Sequence, residues 1–158
     1  MHSFTVSHTI HIDAPPQAAW RLVSDTSRYA EWIINTLAVT EHCGTTHLGG
    51  IYRERNRILG PITGTSSWTV VHLDEKTGEQ THVSRDLPMG ETTVLIHVEP
   101  EGAGTRYTQG IRINVDLGVL SGVIARILRG SLDRNNRASV IAFGALVERE
   151  HRAVSPTV

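Results

Sequence analysis

The sequence predicts an α+β fold: a curved antiparallel sheet of about seven strands wrapped around one long C-terminal helix, with two short helices after the first strand. Three observations carry it. Residues alternate with a period of two at the amino terminus, turn signals recur about every 11 to 16 residues between Leu37 and Val115, and a period near 3.6 runs from Asp116 to about His151. The pattern reads as one domain over residues 1–152, followed by a loose tail at 153–158.

Taken in order, Phe4, Val6, His8, Ile10 and Ile12 alternate with Ser3, Thr5, Ser7, Thr9 and His11, as in a strand with one buried face. The stretch "DAPPQAAWRLVSD" then offers Asp13 as a cap, prolines for the first helical positions and an apolar side at Ala18, Ala19, Leu22 and Val23. A second short helix is expected in "TSRYAEWI". Next come β-branched segments punctuated at Gly49, Gly60, Lys76, Pro88 and Glu101, with no connection long enough for a parallel crossover, so the strands form an antiparallel meander. A sheet with one apolar face must cover it, and only the terminal helix is long enough to do so.

That helix has an unusual buried side. At about 100° per residue, Leu117, Ile124, Leu128, Leu132, Phe143 and Leu146 form one stripe, with Arg126, Asp133, Arg134 and Arg137 roughly opposite. Ser131, Asn135 and Ser139 fall in the middle of the stripe, where an unpartnered buried amide is costly. They are expected to line a gap between sheet and helix, and a ligand pocket there should hold at least ~300 Å³.

Composition narrows the function classes. The chain has 158 residues, 39% of them hydrophobic, and its 15 basic and 16 acidic residues leave a net charge of −1. With no global field, nucleic acid is not an expected partner. Cys43 is the only cysteine, so no intrachain disulfide can form. No apolar run approaches the ~20 residues of a membrane span, and no leader pattern precedes the first strand, so a cytoplasmic protein without integral membrane association is expected, as monomer or homodimer. Nine histidines include no helical i, i+4 pair, and neither metal nor cofactor is expected. No nucleophile elbow, phosphate loop or dinucleotide fingerprint is present.

Several residues could carry chemistry. In "IYRERNRIL", Arg53, Arg55 and Arg57 share one strand face while Tyr52, Glu54, Asn56 and Ile58 share the other, and burying three arginines is the costlier choice. Glu54 thus becomes the cavity carboxylate, with a pKa raised by desolvation. Two other accounts stay open: a structural acid paired with an inward Arg85, or a solvated group beyond a bulge that flips the register. In "TRYTQGIRINV" the apolar trio Ile111, Ile113 and Val115 turns Tyr107 and Gln109 inward, either to the pocket or to the sheet margin. Val94 and Ile96 read as lining, Trp20 as core, and Trp32 as part of a pocket entrance. His8 interrupts an apolar face and reads as a satisfied core histidine.

The run of Ile12, Asp13, Ala14, Pro15, Trp20, Leu22, Asp25, Tyr29 and Trp32, supported by "GGIYRERNRI" and "GTRYTQGIRI", resembles the START-like, helix-grip (SRPBCC) superfamily, and within it the bacterial polyketide cyclase/dehydrase and lipid transport members. The resemblance spans nearly the whole chain and implies a deep hydrophobic cavity between sheet and helix. Three functions follow as expectations. The first is binding or carriage of a hydrophobic small molecule (lipid, isoprenoid or polyketide-like) by Trp32, Tyr52, Glu54, Asn56, Arg85, Val94, Ile96, Tyr107, Gln109, Leu128, Asn135 and Ser139. The second is a cyclase or dehydratase with Glu54, Tyr107 and Arg85 as candidate catalytic residues, since family cyclases tend to use a cavity arginine and tyrosine. The third is a regulatory or toxin-like protein acting through its surface, for which the Arg53, Arg55 and Arg57 face could serve.

Overall fold

The computed structural model describes residues 2–86 and 90–154. Strand β1 (His2–Ile12) leads into helix α1 (Pro16–Val23) and a 3₁₀ helix (Thr26–Glu31); six strands follow, β2 (Thr36–Glu41), β3 (Ile51–Leu59), β4 (Ile62–Asp74), β5 (Glu79–Ser84), β6 (Thr92–Glu101) and β7 (Gly104–Val115). A short 3₁₀ turn (Gly118–Leu120) precedes helix α2 (Ser121–Val154). The predicted turn at "PMG" falls partly on Pro88 and Met89, outside the described residues, as do 155–158 of the predicted tail, whereas α2 itself continues through Val154.

The strands form one antiparallel sheet in the order β1-β7-β6-β5-β4-β3-β2. From β2 onward consecutive strands are antiparallel neighbours, whereas between β1 and β2 the segment with α1 and the 3₁₀ helix carries the chain from one sheet edge to the other. Register irregularities in the β2–β3, β3–β4 and β4–β5 pairs add local twist, which curls the sheet around α2. At the β4–β5 turn, Gly78 has φ +72°, and a Cβ there would lie 1.9 Å from the Val98 carbonyl oxygen, so neither backbone shape nor space admits a side chain.

Helix α2 does two different jobs along its length. Its second half buries Val140, Phe143, Gly144, Leu146 and Val147 against β1, α1 and the sheet. At Gly144 an added Cβ would lie 2.5 Å from Ile10 Cδ1, so a side chain there would have to push the tip of Ile10 aside. The first half packs less deeply: Ala125 is buried with Ile113 and Val115, Leu128 and Leu132 are half-buried, and Val123 and Ile127 are exposed, as are Val119 and Leu120 in the turn before it. The core is thereby divided into two clusters, with space left between them.

Candidate functional site

That space is a cavity of about 190 Å³, whose lining draws on both clusters: Tyr29, Trp32, Tyr52, Trp68, Val94 and Ile96 from the larger, and Ile111, Ile113, Leu128 and Leu132 from the smaller. It is smaller than the ~300 Å³ expected from the sequence. The exposed residues Arg57 and Ile58 and the half-buried Asn35 also line it and mark its mouth.

The alternation of β3 holds in the structure. Tyr52 and Glu54 are buried and Arg53, Arg55 and Arg57 are exposed, with Arg53 bonded to Ser67 and Glu41 on the outer face. Glu54 is 4% exposed. Burial pushes its pKa up to about 7, against the downward pull of Asn56, Trp68 and Thr36. Asn56 Nδ2 donates to Glu54 Oε2 at 3.5 Å and to Ser66 Oγ at 2.6 Å, and Trp68 Nε1 donates to the same Ser66 Oγ at 2.9 Å. Glu54 Oε1 has no hydrogen-bond partner among the described residues, nor do two other buried lining atoms, Trp32 Nε1 and Thr92 Oγ1. A cavity wall with orphaned polar atoms is a wall with unused binding capacity.

Beside Glu54 runs a buried chain of bonds that the strand patterns do not single out. The Tyr52 hydroxyl is 2.8 Å from His82 Nδ1, His82 Nε2 is 3.1 Å from Gln80 Oε1, and Gln80 Nε2 donates to Ser24 Oγ at 2.8 Å. Because the Gln80 amide gives its N–H to Ser24, its oxygen must accept from His82, which places the imidazole proton on Nε2 and leaves Nδ1 to accept from Tyr52. Desolvation lowers the His82 pKa to about 4, so the ring is neutral at physiological pH. Burial also drives the Tyr29 and Tyr52 hydroxyls well above their ordinary value. A pattern that could have flagged His82 exists in "EQTHVS", where Gln80, His82 and Ser84 alternate; the single apolar residue on the other face, Val83, points the wrong way.

Among the residues predicted for the site, Trp32, Tyr52, Glu54, Asn56, Val94, Ile96, Gln109, Leu128 and Asn135 all line the cavity. Three do not. Arg85 follows the end of β5, its side chain 75% exposed and its Nε donating to Glu91 at 2.9 Å, so it neither pairs with Glu54 nor reaches the interior. Tyr107 points inward but lies in solid core, its ring 4.2 Å from that of Phe143 and its hydroxyl donating to Gln109 Oε1 at 2.7 Å. Ser139 is buried outside the cavity lining, and its Oγ accepts from the Ile34 N–H at 3.0 Å, fixing the chain just after the 3₁₀ helix. Ser139→Ala should therefore lower stability by about 1 kcal/mol and leave ligand binding unchanged; a denaturation curve that does not move would mean the Ile34 N–H finds another acceptor. Ser131 and Asn135 do face the cavity, joined by one long bond of 3.5 Å. His8 is half-buried, bonded to Asp133 at 2.9 Å. Among the described residues no group of three His, Cys, Asp or Glu could hold a metal ion, and no helix is long and apolar enough to cross a membrane.

The fold has close counterparts among solved structures. The Zhui aromatase/cyclase from Streptomyces sp. R1128 superposes with a TM-score of 0.82 at 21% identity, covering 99% of this chain and 100% of that one. TTHA0849 from Thermus thermophilus gives 0.75 at 16% identity, covering 96% and 100%. The di-domain ARO/CYC BexL from the BE-7585A biosynthetic pathway gives 0.74 at 18% identity over 98% of this chain, which spans 51% of that protein. Among curated proteins none matches significantly. At these identities the structures establish a shared helix-grip architecture. The sequence itself matches the polyketide cyclase / dehydrase and lipid transport family over residues 3–147, and the chain belongs to that family.

Proposed function

We propose that the protein binds a compact hydrophobic small molecule in the cavity between the sheet and the first half of α2. The observation that carries this reading is a mostly apolar wall interrupted by three buried polar atoms, Glu54 Oε1, Trp32 Nε1 and Thr92 Oγ1, that have no partner among the described residues. Orphaned groups in an otherwise closed core cost about 1–3 kcal/mol each, and a ligand or ordered water recovers that cost. The modest volume favours a one- or two-ring molecule over a long lipid chain.

An environment-sensitive hydrophobic dye should bind with about one site per chain, and native mass spectrometry of protein from its own host should show a retained small molecule. Ile111→Trp, which puts an indole into the space, should abolish both. Absence of saturable binding, or binding unchanged in the Trp variant, would sink the proposal.

A second reading is supported by Glu54 alone. A carboxyl group whose pKa is near 7 can both take and give a proton at neutral pH. Its carboxylate could remove an acidic proton next to a ketone, and the resulting acid could return a proton to a departing hydroxyl, releasing water. That is the proton traffic of an aldol-type cyclisation and dehydration. Neither Tyr107 nor Arg85 is placed to assist. Under this reading Glu54→Gln stops turnover of a β-ketone substrate while leaving the dye bound; under pure binding no turnover exists to lose.

A further inference from the structure

The chemistry around Glu54 points beyond a hydrophobic ligand in general. The chain holds eight aromatic residues, three Trp, three Tyr and two Phe, and four of them (Tyr29, Trp32, Tyr52 and Trp68) line this one cavity with Glu54. Their rings form a connected wall: Tyr29 meets Trp32 edge-on at 5.4 Å and Tyr52 edge-on at 5.3 Å, and Tyr52 stacks on Trp68 at 6.4 Å. The carboxylate they accompany keeps one oxygen without a partner among the described residues.

Among the described residues no cation answers that carboxylate from within. The titratable groups that share the cavity with it are Tyr29 from the 3₁₀ helix, Tyr52 and Arg57 from β3, and His82 from β5; β4, β6, β7 and α2 contribute none. His82 is neutral, with its ring nitrogens committed to Tyr52 and Gln80. Arg57 lines the mouth with its side chain exposed. The single lysine of the chain, Lys76, sits in the β4–β5 turn.

A buried carboxylate in an aromatic-lined cavity and without a counter-ion among the described lining residues is a cation receptor, because the carboxylate and any ring face turned toward the ligand favour the same ligand charge. We infer that the cavity takes a hydrophobic amine, a compact apolar body bearing one protonated nitrogen that pairs with Glu54 against the Tyr and Trp rings. An anionic ligand meets the opposite field, and a neutral alcohol can use the hydrogen bond but not the charge. Arg57 at the mouth then repels a second positive group, which limits the ligand to one. This inference rests on the proposed ligand-binding role of the cavity.

Three probes on one skeleton test it: naphthalen-1-ylmethylamine, 1-naphthalenemethanol and 1-naphthoate, titrated calorimetrically into the wild-type protein at about pH 8. The amine should bind at least about tenfold more tightly than the alcohol, with the naphthoate weakest. At about pH 5.5 the ammonium is unchanged but Glu54 is protonated, so the preference should collapse. In Glu54→Gln it should be absent at both pH values while the alcohol still binds. An alcohol or naphthoate that binds as tightly as the amine at about pH 8, or an amine preference that survives in Glu54→Gln, overturns the inference and leaves the cavity reading standing. Binding of none of the three overturns both. Should Glu54→Gln fail to fold, the wild-type comparison at the two pH values decides alone.

Discussion

Replacing Asn136 by Leu lowers stability by roughly 3 kcal/mol, whereas the same replacement one residue earlier, Asn135→Leu, changes it by no more than about 0.5 kcal/mol. The contrast follows from partners. Asn136 is 1% exposed; its Nδ2 donates to the Gln109 backbone oxygen at 2.9 Å, and its Oδ1 accepts from Gln109 Nε2 at 2.9 Å. Gln109 Oε1 in turn accepts from the Tyr107 hydroxyl. Leucine at 136 strands an acceptor and a donor on β7 and loosens the far end of the Tyr107 chain. Asn135 is half-buried and makes one long bond to Ser131. Its loss strands nothing deep, and it should instead weaken ligand binding. Chemical denaturation of the two variants checks the first half and dye titration the second; equal destabilisation by both would mean that Asn135 has a scaffold role that its single bond does not reveal.

These two neighbours also show how far the sequence can be read. A strand alternates with a period of two, so a face assignment either holds for the whole strand or fails for all of it. Once Ile111, Ile113 and Val115 are turned inward, Tyr107 and Gln109 follow, and the cost of burying three arginines settles β3 in the same way. Depth along a strand has no such signal. Tyr107 lies where the second half of α2 seats Phe143 on the sheet, and Glu54 lies where the first half stands away, and nothing in either strand's own residues marks the difference.

On the helix the ambiguity is angular. Adjacent residues are about 100° apart and an apolar face is itself ≳ 100° wide, so Asn135 and Asn136 could each be the inward amide. In the structure both are, one toward the cavity and one toward β7. Ser139 shares the stripe with Asn135 but meets the loop before β2, a contact 105 residues apart in sequence. Arg85 falls outside the cavity because the inward face of β5 belongs to Gln80, His82 and Ser84, which leaves position 85 in phase with the outward Val83. His82 is hidden by the polar makeup of its own face, which is intelligible only once Tyr52 is known to be its partner.

Glu54 and His82 are expected to give the protein two opposed pH dependences that nearly cancel, and separating them is the sharpest test of this polar interior. Glu54 has a folded pKa of about 7 against an ordinary 4.5, a raised value, so its contribution is fully present below about pH 4.5 and is lost as pH rises through 7. His82 has a folded pKa of about 4 against 6.5, a depressed value, so its contribution is present above about pH 6.5 and is lost as pH falls through 4. At about 1.4 kcal/mol per pKa unit, each is worth about 3 kcal/mol over its range. Between about pH 4.5 and 6.5 the two slopes have opposite sign, and the wild-type stability changes little from this pair. Glu54→Gln removes one of them. The variant should gain about 3 kcal/mol over wild type at pH 8, match it near pH 4, and show the His82 slope uncovered between. His82→Gln, which can keep a bond to Tyr52, should show the reverse: stability falling from about pH 4.5 to 7. Glu31, Glu101 and Glu150 also have lowered values, but their partners Arg28, His11 and Arg106 are present in every variant, so their acid-side effect drops out of the differences. Urea denaturation at intervals from pH 4 to 8 measures all three proteins, and a Glu54→Gln profile that runs parallel to the wild type would place the Glu54 carboxyl in water and remove the polar anchor from the cavity.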